Sequence, residues 1–414
     1  MQQNQESENY KRQNQTPEDY MRQALQLARK GEGTVSPNPM VGCVAVKHGT
    51  VIAAGYHEQY GGFHAERNAL LNCTEDAEGA ELYVTLEPCC HYGKTPPCTE
   101  IIIEKKIKKV YVGCLDSNPK VAGKGVRILQ EHGITVETGI LEQECRELNE
   151  VFFHYMETSM PFLAMKYAMT LDGKIACETG DSKWITGEAS RNYVQCLRNR
   201  YRGIMAGIGT VLADDPMLNC RMEGGRNPVR IICDSRLRIP LDSQIVKTAS
   251  EIETIVAWSP DRALIWRSRG DEEYRCGQTS GNPVWDRGEW LGESKILEEK
   301  KQLLEHNGVM LLEVPAAETG ELNLSHLMRQ LGERGIDSIL LEGGGTLNAS
   351  ALKENLVQRV YAFIAPKLVA GAKAKSPVEG AGISRMKEAV RLKDVEVARY
   401  GEDLCMTGRV CFDA

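Results

Sequence analysis

With 414 residues, the chain exceeds what one hydrophobic core usually organises, so two domains are expected. A net charge of −7 argues against a nucleic-acid binder, which needs a basic surface to neutralise phosphates, and no run of about 18 apolar residues suggests a membrane span. The 14 cysteines follow no disulfide-like spacing, which points to a reducing compartment and a cytoplasmic protein.

Residues 1–15 are Gln/Asn-rich and polar, and read as a disordered tail rather than a targeting segment. Thr16, with Glu18 and Asp19, then opens a helix whose apolar positions Tyr20, Met21, Ala24, Leu25, Leu27 and Ala28 follow the helical period up to Gly31. Residues 40–46 and 51–56 read as a hairpin around His48 and Gly49, and 65–71 as a helix. A strand over 81–85 precedes a long loop, after which Cys98 begins a helix ending near Lys105. Strands over 109–113 and 134–138, with a helix near 125–132, complete a three-layer α/β domain spanning 16–150. Cys43, Cys114 and Cys233 sit in apolar strand-like runs and read as buried small hydrophobes. The basic run from Lys105 to Lys109 reads as a solvated face near a helix end.

The densest chemistry lies at His64-Ala65-Glu66 and in the segment Pro88-Cys89-Cys90-His91-Tyr92-Gly93-Lys94-Thr95-Pro96-Pro97-Cys98. One imidazole (His64) and two thiolates (Cys89, Cys98) are the donors of a catalytic zinc ion, and they leave a fourth position for water. Glu66 can carry a proton from that water to a ring nitrogen and a leaving amine without ligating the metal. Cys98 at a helix start gains from the exposed backbone donors there. Eight residues separate the two cysteines, against two in the H-x-E/P-C-x-x-C nucleobase deaminase pattern. The alternative is a structural zinc site closed by Cys90 or His91, where a glutamate at the H-x-E position would have no purpose.

A helix over 142–155 ends before Pro161, and a fresh strand over 162–168 opens a second domain, 160–414. There, Ile339-Leu340-Leu341-Glu342-Gly343-Gly344-Gly345-Thr346-Leu347-Asn348 reads as strand, glycine turn and helix. Glycines and a helix N-terminus suit an anionic cofactor group, although such a turn can equally just reverse the chain. It lacks the G-x-G-x-x-G spacing, which disfavours a Rossmann fold. A second glycine turn, Ala206-Gly207-Ile208-Gly209, leads to Thr210 and Asp214, which either hydrogen-bond a ligand or cap a helix. Residues 265–300 are charged and aperiodic and read as an insertion or long surface excursion.

The long-loop cysteine motif, together with Pro37-Asn38-Pro39-Met40-Val41-Gly42 and Asp116-Ser117-Asn118-Pro119, closely resembles the deaminase half of the bifunctional riboflavin-biosynthesis deaminase-reductases. Met169-Thr170-Leu171-Asp172-Gly173-Lys174, Asp181-Ser182-Lys183-Trp184-Ile185-Thr186 and the two glycine turns resemble the reductase half, whose fold is similar to dihydrofolate reductase. The resemblance implies a cytidine-deaminase-like domain followed by a dihydrofolate-reductase-like domain. It implies zinc-dependent hydrolysis of the ring amine of 2,5-diamino-6-ribosylamino-4(3H)-pyrimidinone 5′-phosphate, then NADPH-dependent reduction of ribosyl to ribityl. The substrate would meet Asn38, His91, Lys94 and Asn118 in the first domain, and Ser182, Arg198, Leu218, Arg221 and Glu342 in the second. A guanidinium fork from Arg198 or Arg221 would suit the sugar phosphate. NADPH would lie near Ala168, Trp184, Thr210, Asp214, Ser235, Gly344, Gly345, Thr346, Leu347, Asn348, Ala349 and Ser350. Asp214 lies in the right motif to donate the proton of the reduction, and water is the alternative donor. A homo-oligomer is expected. The rival readings are a nucleoside or tRNA deaminase with an accessory domain, opposed by the acidic balance, and a non-catalytic zinc-stabilised binding protein, opposed by Glu66.

Overall fold

In the computed structural model a reciprocal cap starts the first helix, Pro17–Ala28. The Asp19 amide donates to Thr16 Oγ1 (3.4 Å) and the Thr16 amide to Asp19 Oδ2 (3.0 Å), satisfying two donors that a helix start leaves orphaned. Its buried face, Tyr20, Met21, Ala24, Leu25 and Ala28, packs on a five-stranded sheet. The structure describes residues 15–118, 121–260, 290–318 and 320–412. The expected tail and the expected excursion, up to residue 289, lie almost wholly outside the described residues.

The chain divides into two units, Met1–Met160 and Pro161–Ala414. The first holds β1 (Gly42–Lys47), β2 (Thr50–Tyr56), β3 (Glu81–Leu86), β4 (Lys109–Cys114) and β5 (Thr135–Thr138), in the order β2-β1-β3-β4-β5. β1 runs antiparallel to β2 and β3, and β3, β4 and β5 are parallel. The intervening helices Ala65–Leu71, Cys98–Glu104 and Lys124–Glu131 make this a layered α/β unit. Cys43 and Cys114 are buried in its core, as their strand positions suggested.

Gly42 is where the first helix presses closest on the sheet: a Cβ there would lie 1.9 Å from the Ala24 carbonyl oxygen and 2.9 Å from the Ala28 amide. Both neighbours are helix backbone and cannot rotate away. Gly42→Ala should therefore destabilise the first unit by about 3 kcal/mol or more, read as a lower urea midpoint. An unchanged midpoint would mean that the helix shifts freely.

The single helix expected over 142–155 is two, Glu142–Leu148 and Glu150–Thr158, broken at Asn149. The break has a non-local cause. The Asn149 side chain pairs with the backbone of Met40, Oδ1 accepting from its amide (2.8 Å) and Nδ2 donating to its carbonyl (2.9 Å). The second of these helices buries Phe152 and Phe153 in the first core, so this unit continues to Met160 rather than closing near 150.

The second unit holds β6 (Phe162–Thr170), β7 (Gly203–Gly207), β8 (Val229–Cys233), β9 (Thr254–Trp258), β10 (Val309–Glu313), β11 (Ser338–Leu341), β12 (Val357–Ala365), β13 (Arg391–Tyr400) and β14 (Asp403–Cys411). Their order is β10-β9-β8-β7-β11-β6-β12-β14-β13. The strands from β10 to β12 are parallel, and the β13–β14 hairpin closes the sheet antiparallel. Near-continuous burial along β7, β8, β9 and β11 fits strands covered on both faces. The end of the expected excursion is corrected by a helix, Trp290–His306, whose residues 290–300 had read as aperiodic.

Candidate active sites

His64 occupies the N-cap of helix Ala65–Leu71, which sets Glu66 in its first turn. Cys89 follows β3 in the long loop, and Cys98 opens helix Cys98–Glu104. These elements bring His64 Nδ1 to 3.3 Å from Cys89 Sγ and 3.5 Å from Cys98 Sγ, with all three ligand atoms within 4.8 Å of one another. Among the described residues this is the one such donor set, and Cys90 and His91 are outside it.

The protonation pattern of the trio fits a dication. Hydrogen bonding from Cys98 and from His64 holds the Cys89 thiol well below its ordinary value and favours its thiolate. Cys98, hydrogen-bonded to that thiolate and buried, is pushed up and keeps its proton. A cation among these donors displaces that proton and makes both sulfurs ligands. Glu66 is 3% exposed, and burial followed by the nearby Cys89 charge pushes its carboxyl up to about 7.

Asn38, His91, Lys94 and Asn118 all line the cleft that contains His64, Glu66 and Cys89. Among the described residues His91 Nδ1 is buried without a partner, leaving a polar atom for a ligand. Sequence reasoning missed His57 and Tyr60 and gave Glu87 and Asp116 no role of their own; all four share the cleft. His57 Nδ1 lies 2.9 Å from the Phe63 carbonyl, an obligate acceptor, so the proton resides on Nδ1. Its Nε2 then accepts from Asn38 Nδ2 (3.1 Å), which settles the Asn38 amide orientation. Burial holds the His57 imidazole below its ordinary value and favours this neutral form. Glu87 accepts from the amides of Asp116, Gly123 and Val126 and so ties down the loop that carries Asn118. Burial pushes the Asp116 carboxyl up to about 6. The one available signal for these residues was their position on loops flanking the motif.

In the second unit the expected residues gather at the carboxyl ends of adjacent parallel strands, where open α/β sheets bind ligands. β7 leads into Gly207 and helix Ile208–Asp214, which carries Thr210 and Asp214. β11 leads into Glu342, the glycine turn and helix Gly345–Lys353. The two turns are neighbours: a Cβ on Gly207 would lie 3.8 Å from Leu347 Cδ2. Ser235 follows β8, and Ala168 lies on β6. Trp184 is 64% exposed, its ring beneath the Arg191 guanidinium (4.6 Å) and its carbonyl accepting from Lys367 (2.6 Å).

Several side chains do other work than expected. The Arg198 fork is taken by Glu342, with Nε to Oε1 at 2.7 Å and Nη2 to Oε2 at 3.0 Å, while Nη1 donates to the Asn219 carbonyl (3.0 Å). That bidentate face is already taken within the protein, while Arg221 is exposed. Burial opposes the Glu342 charge, yet Arg198 and then Lys166, 3.7 Å away, outweigh it and hold the carboxyl down to about 2. Lys166 was not anticipated; it lies on β6, which pairs with β11. The Leu218 side chain packs in the core with Ile204 and Val211. Asn348 is fully buried, its Nδ2 donating to the Pro377 carbonyl (2.8 Å) and its Oδ1 unpartnered. Ser350 Oγ donates to Glu321 (2.8 Å).

A metal-type donor trio beside a buried carboxylic acid, and a glycine-turn site at the mouth of a parallel sheet, define a two-headed enzyme: a hydrolytic deaminase joined to a nucleotide-dependent reductase. Comparison with known proteins agrees in both halves. Residues 14–114 match the cytidine and deoxycytidylate deaminase zinc-binding region, and residues 161–406 match the RibD C-terminal domain. The chain is 48% identical over 388 residues to the riboflavin biosynthesis protein RibD of Actinobacillus pleuropneumoniae, covering 94% of each chain. It is 39% identical over 391 residues to that of Bacillus amyloliquefaciens, covering 94% of this chain and 95% of the other. A solved Acinetobacter baumannii RibD, form 1, superposes with a TM-score of 0.78 at 36% identity, covering 95% of this chain and 99% of that one. A Thermotoga maritima structure described as a diaminohydroxyphosphoribosylaminopyrimidine deaminase/5-amino-6-(5-phosphoribosylamino)uracil reductase gives 0.75 at 35% identity, with the same coverage. The chain belongs to the RibD family. It is a bifunctional deaminase-reductase of riboflavin biosynthesis acting on a small molecule, with a zinc-binding deaminase unit and an NADPH-using reductase unit. No helix among the described residues is long and apolar enough to cross a membrane.

Proposed function

We propose that the first unit deaminates 2,5-diamino-6-ribosylamino-4(3H)-pyrimidinone 5′-phosphate and that the second reduces the ribosyl group of the product to ribityl. The observation that carries the reading is the convergence of His64, Cys89 and Cys98 beside the buried Glu66. These three side chains would hold zinc, which when bound would supply Lewis-acid activation of water. Glu66 would relay the two protons given up by the attacking water one after the other, the first to the ring nitrogen and the second to the departing amine, which leaves as ammonia. His91 and Asn118 bond the heterocycle, while Asn38, oriented by His57, bonds it from the opposite wall.

In the second unit NADPH supplies the hydride. The backbone amides of Gly344 and Gly345 and the first turn of helix Gly345–Lys353 receive a cofactor phosphate. The absence of a Cβ is needed at Gly345, where one would lie 2.6 Å from the Ser376 carbonyl oxygen. Thr346, Leu347, Thr210, Asp214, Ser235, Ala168 and Trp184 form the remaining cofactor walls. Arg198, Glu342 and Ser182 face the substrate, and Arg221 meets its phosphate. The protein is cytoplasmic and binds neither nucleic acid nor membrane, a reading supported by its net charge of −7 and its cysteine usage; a homo-oligomer completes the proposal.

The test follows ammonia release and NADPH oxidation together on the diaminopyrimidinone ribosyl phosphate. Both signals are expected, the second depending on the first. Ammonia without oxidation would sink the reductase assignment, and oxidation without ammonia would reverse the order of the two steps.

A further inference from the structure

Lys94 stands in the loop between the two cysteine ligands and is exposed, a setting in which a lysine ordinarily samples many rotamers. Here its ammonium lies 3.9 Å from the centroid of the Tyr60 ring. Its stem runs along Gly61, where a Cβ would sit 3.3 Å from Lys94 Cδ, so the missing side chain leaves the stem its path. The backbone that carries the ring is tied down: the Tyr60 amide donates to the Thr34 carbonyl (3.1 Å), and Thr34 Oγ1 donates to the Glu58 carbonyl (2.6 Å). Both residues line the cleft of Glu66 and His91.

A cation over a ring face is oriented without being neutralised, because the attraction comes from the ring quadrupole and leaves the ammonium protons facing outward. Among the described residues Lys94 has no carboxylate partner. The arrangement thus pre-orients at the cleft wall a positive charge that no carboxylate among the described residues neutralises, which favours substrates carrying an anion. We propose that Tyr60 is a positioning residue of the deaminase: it pre-orders Lys94 for the substrate phosphate and so makes the unit select the phosphorylated pyrimidine over its riboside. This rests on the substrate reading above and adds to it the device that enforces the preference.

The test compares ammonia release from the ribosyl phosphate and from the same compound after removal of its phosphate, in the full-length zinc enzyme. Tyr60→Leu should raise KM for the phosphorylated substrate roughly five-fold, the scale of an exposed cation–π contact, with kcat unchanged and KM for the riboside unmoved. Tyr60→Phe, which keeps the ring face, should retain the wild-type preference. Lys94→Ala should abolish the preference, and Tyr60→Leu added to it should change nothing further. An equal rise in KM for both substrates, or additive effects of the two substitutions, would overturn the proposal by making Tyr60 a wall of the cleft. A wild-type phosphate preference indifferent to Tyr60 sinks the proposal alone. No ammonia from either compound sinks the substrate reading and the proposal with it.

Discussion

Glu66→Gln should release ammonia roughly 10²- to 10⁴-fold more slowly than the wild type, the range a positioned acid–base group supplies, while still binding zinc and still reducing the deaminated intermediate. The substitution keeps the side-chain volume at a site only 3% exposed, so the helix Ala65–Leu71 that also places His64 is preserved. An amide cannot take a proton from water and pass it on, and that is the single function removed. Zinc content by native mass spectrometry separates this from ligand loss: Glu66→Gln keeps the metal, whereas Cys98→Ser, which removes one of the three donors, loses most of it along with activity. Ammonia release within a few-fold of wild type in the glutamine variant, with zinc retained, would assign the proton transfer to another group, of which Asp116 in the same cleft is the first to examine.

The metal site was legible in the sequence because its geometry is local. His64 and Cys98 each begin a helix and Cys89 follows a strand, so residue type and element boundaries together determine which atoms face inward. The glycine turn of the reductase was legible for the same reason, lying between β11 and its following helix. What could not be read is what distant segments impose. Asn149 breaks a helix through a pairing with Met40, 109 positions earlier. His57 and Tyr60 enter the deaminase cleft from the segment after β2, with no pattern of their own. Arg198 looked available for a phosphate because its partner, Glu342, stands 144 positions away and is brought to it only by the pairing of β11 with β7. The helix from Trp290 escaped notice because its charged and apolar residues fall on no clean stripe.

Glu342→Gln should cost the second unit about 3 kcal/mol at neutral pH and lower reductase kcat/KM by about 100-fold, with ammonia release retained. The stability figure follows from two routes that agree. Removing one partner from a buried ion pair leaves the other charge uncompensated, typically about 3 to 5 kcal/mol, and here Arg198 and Lys166 are 13% and 15% exposed. Independently, the carboxyl held from 4.5 down to about 2 corresponds to about 3 kcal/mol of preference for the charged form. The sign of the pH dependence follows. A depressed carboxyl contributes its full stability above the unfolded-state value of 4.5 and loses it as pH falls toward about 2. The gap in urea unfolding free energy between wild type and variant should therefore be constant from pH 7 to pH 5.5 and narrow below pH 4.5. A gap that is already small at pH 7 would show that Arg198 and Lys166 are solvated in the variant. A gap that stays constant down to pH 3 would show that burial and geometry, rather than charge, make Glu342 stabilising. The activity loss has the same origin, since the carboxylate is what holds the Arg198 guanidinium rigid beside the glycine turn. Arg198→Lys, which keeps the charge but cannot form the two-point contact, should recover much of the stability and little of the reductase activity.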